Sequence, residues 1–147
     1  MQNLVQSNLE IAFLDGLAPD LLPLAAMLPA HVTPMVIGAG QDPLVFIADA
    51  LKAAPGAAAI HLLGHGAPGS ISLGGQRIDA GILAHYADVL AEIGASLAGG
   101  DILVYGCATG QGAAGAGFVA RLSALTGAGV AASDALVGHA GLGGSWA

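Results

Sequence analysis

The chain has 147 residues, 55% hydrophobic and 9% charged, with 24 glycines and a formal net charge of −7. This length fits one domain with a proper core, and the composition is the opposite of the polar, highly charged signature of disorder. Lys52, Arg77 and Arg121 are scattered, which excludes the basic footprint that binds nucleic acid.

The start, Met1 to Glu10, is polar and shows neither the basic residues nor the apolar run of a signal peptide. Leu9 to Leu14 predicts a strand closed by the turn Asp15-Gly16. Pro19 to Leu28 predicts a helix, with Pro19 in its first turn and Leu21, Leu24, Ala25 and Leu28 on one face. The most apolar region, Leu17 to Ile37, is broken by Pro19, Pro23, Pro29 and Pro34. It cannot supply the ~20 uninterrupted apolar residues of a bilayer helix, so a soluble chain without membrane insertion is expected. Val32 to Ile37 predicts a second strand, held to a sheet edge by Pro34. Asp42 predicts the N-cap of a helix to Ala54, with Pro43 at its first position and Leu44, Ile47, Ala48 and Leu51 as the inner stripe.

A strand over Ala57 to Leu63 follows, then a glycine-rich turn from Gly64 to Gly69. Ser70 to Ile78 predicts a small hairpin about Gly74-Gly75. Asp79 caps one long helix reaching about Leu97, and Asp101 to Tyr105 is a strand that leads to Cys107. A weak helix from Ala113 to Leu125, a short strand from Val130 to Ala132 and a terminal hairpin within Val137 to Ala147 complete the series. This alternation predicts a single α/β domain. Its expected form is a three-layer sandwich with a mostly parallel central sheet and a small hairpin after the His-Gly turn.

In open α/β sheets, sites form beyond the C-terminal ends of the strands. Asp15, His65, Cys107 and Asp134 all fall at such ends. Cys107 is the single cysteine, which excludes an internal disulfide and a multi-cysteine zinc site. A thiol nucleophile needs a nearby base or a helix N-terminus. If the strands before His65 and Cys107 are neighbours and parallel, the two side chains meet. The Gly66 and Cys107 N–H groups then suit an oxyanion hole.

Plainer roles exist for each residue. A lone cysteine after a buried strand is ordinarily an inert core residue, and Asp15 and Asp134 suit turns and caps. His61 is predicted inside a strand as a hydrogen-bonded core residue. His31, His85 and His139 have no metal-site spacing, so no metal or cofactor is expected. An α/β-hydrolase elbow is excluded because Tyr105 and Thr109 stand where glycines are required.

The segments Phe13-Leu14-Asp15, His65-Gly66-Ala67-Pro68-Gly69, Tyr105-Gly106-Cys107, Ala131-Ala132-Ser133-Asp134 and Leu142-Gly143-Gly144-Ser145-Trp146 carry a resemblance. Together they resemble a bacterial domain of unknown function found near the N-terminus of very large, repeat-rich, secreted or surface adhesin-like proteins. More distantly, the His-Gly and Cys motifs resemble the caspase–haemoglobinase fold of cysteine peptidases. That resemblance implies a caspase-like topology, with Cys107 as nucleophile, His65 as base and Gly66 in the oxyanion hole. It also implies a substrate pocket at the strand ends, where Asp15 and Asp134 would select Arg or Lys before the scissile bond. The partner implied is a polypeptide, including the parent chain, and the implied location is secreted or cell-surface. A non-catalytic interaction module of an adhesin-like protein stands as the alternative.

Overall fold

The computed structural model describes residues 9–97 and 99–133. The chain begins with β1 (Glu10–Asp15), a 3-10 helix (Leu22–Met27), β2 (Val32–Ile37), α1 (Pro43–Ala53) and β3 (Ala59–Leu63). Three short strands follow, β4 (Gly66–Ala67), β5 (Ser70–Leu73) and β6 (Gln76–Asp79). Then come α2 (Ala80–His85), α3 (Ala87–Leu97), β7 (Asp101–Val104), α4 (Gly112–Thr126) and β8 (Gly129–Ala132).

Five strands form one sheet in the order β2-β1-β3-β7-β8, every neighbouring pair parallel. Parallel crossovers are right-handed, because a twisted strand feeding a helix packs back onto the sheet only that way. The chain moves in one direction from β1 to β2 and in the other for each later crossover. The rule therefore puts the first connection on one face and α1, α3 and α4 on the other. Side-chain alternation agrees with it. Ile11 and Phe13 of β1 join Leu44, Ile47, Leu51, Leu90, Ile93, Phe118 and Leu122 in the main core. Ala12 and Leu14 face the opposite way and pack with Leu24 of the 3-10 helix, Val32 and Leu63. The result is a mixed α/β fold with a central parallel sheet between two layers, as the alternating pattern predicts.

Several local expectations hold in detail. The Asp42 carboxylate accepts from the Leu44 and Val45 N–H groups at 3.1 and 3.3 Å, capping α1. β2, which contains Pro34, lies at the sheet edge. Others need correction. Pro19 to Leu28 is not an α-helix but a 3-10 helix confined to Leu22–Met27. Pro23 has no N–H to give to residue i−4 and crowds the preceding turn, so the segment closes by i→i−3 bonds, Leu21 N–H to Ala18 C=O and Leu24 N–H to Leu21 C=O.

The single helix expected over Asp79–Leu97 is two, separated at Tyr86, whose dihedrals leave the helical region (φ −116°, ψ 29°). Tyr86 Oη donates to Asp42 Oδ2 at 2.6 Å, a tertiary contact with the α1 cap. The glycine-rich turn contains the strand β4, so the expected hairpin is a three-stranded antiparallel sheet. The terminal hairpin expected within Val137 to Ala147 lies outside the described residues. No helix among the described residues is long and apolar enough to cross a membrane.

Candidate active site

β3 and β7 are adjacent, with Leu62 opposite Val104. His65 and Cys107 each follow three residues after that last pair, so both lie beyond the same edge of the sheet. Gly64 lets the chain turn at the end of β3. A Cβ there would lie 2.0 Å from the Ser72 carbonyl oxygen, so only glycine lets β5 pass so close. The His65 C=O then accepts from Ser72 N–H at 2.8 Å, while its side chain stands 59% exposed.

After β7 the chain makes a tight turn. Tyr105 N–H donates to Leu62 C=O at 2.8 Å, and Thr109 N–H donates to Gly106 C=O at 3.1 Å. Cys107 and Ala108 occupy the two central positions, and Ala108 has φ +60°. A positive φ at the second central position is the type II pattern, which ordinarily calls for glycine. An alanine there stores roughly 1–2 kcal/mol of strain. The strained residue directly follows the cysteine, as is common where a backbone must present one side chain.

The two loops are locked together. A Cβ on Gly66 would lie 2.7 Å from the Gly106 carbonyl carbon and 2.3 Å from Thr109 Oγ1. A Cβ on Gly106 would meet the same Oγ1 at 2.3 Å and Gly66 Cα at 3.1 Å. The residue after His65 thus touches the residue before Cys107, which side chains would forbid. Thr109 fastens this contact. Its fully buried Oγ1 donates to Ser70 C=O at 2.8 Å, and its own C=O accepts from Gly69 N–H at 2.9 Å. Gly66 pairs with Ile71 without direct exchange of bonds, since Ser72 bonds His65 across them. Antiparallel alternation then turns the Gly66 N–H away from β5.

His65 and Cys107 line one cleft of about 80 Å³. Leu63, Gly64 and Tyr105 belong to its sheet side, and Asp20, Leu21 and Leu24 to the β1–β2 connection. Asp20 Oδ1 lies 3.0 Å from His65 Nε2, and Asp20 is 62% exposed at the rim. A carboxylate only accepts, so Nε2 is the donor in this contact, and in the neutral imidazole the lone pair is then on Nδ1. The arrangement can hold an imidazole in one orientation beside a thiol.

Asp15 is placed differently from Asp20. It is 3% exposed, its Oδ1 accepts from Leu17 N–H at 2.9 Å, and it does not line the cleft. Asp134 lies outside the described residues. Sequence reasoning missed Asp20 and Thr109. Asp20 is 45 residues from His65 in the chain, and no local pattern links them.

A second polar cluster lies on the same sheet face. His61 is buried, as predicted for a hydrogen-bonded core histidine, with Nε2 at 2.6 Å from Glu10 Oε1. Glu10 Oε2 is 3.5 Å from His31 Nε2. The His61–Glu10 distance is that of an ion pair, yet burial outweighs the carboxylate and holds the His61 pKa below its ordinary value. A neutral imidazole donating to Glu10 is consistent with both. Tyr105 stacks on His61 with centroids 5.7 Å apart. Burial first, and the Glu10 charge second, push its phenol up. No group of three or more His, Cys, Asp or Glu among the described residues could hold a metal ion.

The protein is thus an open parallel α/β domain whose thiol and carboxylate-bound imidazole share a cleft at the C-terminal edge of the sheet. Residues 11–147 match the family described as a domain of unknown function, DUF4347, and the chain belongs to that family. No curated protein and no solved structure matches it.

Proposed function

We propose that the domain is a cysteine endopeptidase in which Cys107 is the nucleophile and His65 the base. The observation that carries this reading is the cleft shared by His65 and Cys107, with Asp20 bound to His65 Nε2. His65 Nδ1 accepts the thiol proton, and the sulfur attacks the carbonyl carbon of the scissile peptide bond. The Gly66 and Cys107 N–H groups receive the developing oxyanion. Collapse breaks the C–N bond, and the leaving amine takes the proton back from His65. Water, deprotonated by the same nitrogen, then hydrolyses the thioester and frees Cys107. The substrate on this reading is a polypeptide. The resemblance to domains of large secreted or surface proteins favours the parent chain or a neighbouring surface protein.

The test is covalent labelling of the folded chain by peptidyl acyloxymethyl ketones, read by intact mass. Labelling at Cys107 should vanish in Cys107→Ala and slow by roughly 10²-fold or more in His65→Ala, the range of general-base assistance. Folded protein that no such probe labels would instead favour a non-catalytic interaction module.

A further inference from the structure

Among the described residues, three leucines and an aromatic ring make up much of the cleft beside Cys107. Leu24 and Leu63 are buried and anchored in the cluster that also holds Ala12, Leu14 and Val32, so this floor is part of the core. Leu24 N–H donates to the C=O of Leu21, the residue just before the 3-10 helix, and in such an i→i−3 turn side chains three apart lie on one side. Both therefore face the cleft along one edge. Tyr105 adds an aromatic wall packed on the same cluster. Among the described residues the one carboxylate lining the cleft is Asp20, and His65 Nε2 already holds it at 3.0 Å.

We infer that this cleft receives an aliphatic substrate side chain of about leucine size, next to the scissile bond; the inference rests on the peptidase reading above. Its volume, about 80 Å³, is roughly half that of a 150 Å³ leucine-lined cavity that takes up benzene. A branched four-carbon group fits that space. A basic side chain would have to draw Asp20 away from the imidazole that Asp20 orients, so its binding would work against the chemical step. An acidic side chain would meet Asp20 as a like charge over a floor of leucines. This selectivity differs from the Arg or Lys preference expected from Asp15 and Asp134.

Each buried methylene contributes about fourfold in specificity. A leucine probe should therefore label Cys107 at least tenfold faster than the alanine probe. The experiment measures second-order labelling of the full chain by acyloxymethyl ketones carrying Leu, Ala, Arg, Lys or Asp beside the warhead. Leu at least tenfold ahead of the other four is the expected result. Leu21→Glu, at a partly buried wall, supplies a carboxylate that His65 does not hold, and should raise Arg labelling while lowering Leu. Where glutamate prevents folding, Leu21→Ala widens the cleft and should shift preference from Leu towards Phe.

Arg or Lys probes reacting as fast as Leu in the unaltered chain would overturn the inference while leaving the dyad in place. An unchanged ratio in a folded Leu21 variant would overturn it too. If none of the five labels folded protein, the peptidase reading fails and this inference fails with it.

Discussion

Thr109→Val tests whether the hydroxyl of Thr109 fastens the histidine loop to the cysteine loop. Valine has the same shape as threonine, so the change opens no cavity and removes only the oxygen. That oxygen is fully buried and donates to Ser70 C=O at 2.8 Å. Ser70 is itself only 3% exposed, so water cannot easily replace the lost donor. Loss of one partner from a buried pair costs about 1–3 kcal/mol. With a urea m-value of about 2 kcal/mol/M, a loss near 2 kcal/mol lowers the unfolding midpoint by about 1 M at unchanged slope. Thr109→Ser keeps the hydroxyl and removes one methyl, which costs about 1 kcal/mol. The expected order of stability is therefore wild type, then serine, then valine. A valine variant within about 0.5 kcal/mol of wild type, or a serine variant worse than valine, would refute the assignment of the clamp to the hydroxyl.

Gly66→Ala should destabilise by about 3 kcal/mol or more in the same urea titration, because its Cβ meets Gly106 backbone at 2.7 Å as well as Thr109 Oγ1 at 2.3 Å, and backbone yields little. Adding Thr109→Ala should rescue it only in part, and full rescue would show that backbone crowding is unimportant there. Ala108→Gly relieves the φ of +60°, less the extra freedom glycine gains when unfolded. A net gain of about 1 kcal/mol should raise the melting temperature by about 2–4 °C, and a lower melting temperature would contradict the strain. The His61 pKa is lowered in the folded protein from 6.5. Between that lowered value and 6.5 the unfolded chain binds more protons, so His61's contribution is present above 6.5 and lost as pH falls through the folded pKa. In urea titrations from pH 7 downwards, His61→Gln should show a shallower fall in stability than wild type, and equal slopes would rule His61 out as the source.

Much of this architecture is legible in the chain as written. Alternating and continuous apolar runs mark β1, β3 and β7, and Asp42-Pro43 marks the start of α1, because strand pleat and helix capping act over a few residues. Glycines that end strands at His65 and Cys107 point to the sheet's C-terminal edge, and the parallel pairing of β3 with β7 brings those ends to the same edge. Tertiary structure decided what lies beyond that range. Pro23 acts locally in shortening the expected α-helix, but that Asp20, Leu21 and Leu24 of this connection come to the cleft beside Cys107 depends on how the connection packs on the sheet. A hydrogen bond from Tyr86 to Asp42, 44 residues away, accompanies the break in a helix whose sequence holds no proline at that point. Asp15, the acid nearest a strand end, was drawn into its own turn, while Asp20 found His65 across 45 residues. Contacts of that separation depend on which strands become neighbours and which face each crossover takes, and these are properties of the whole sheet rather than of any short segment.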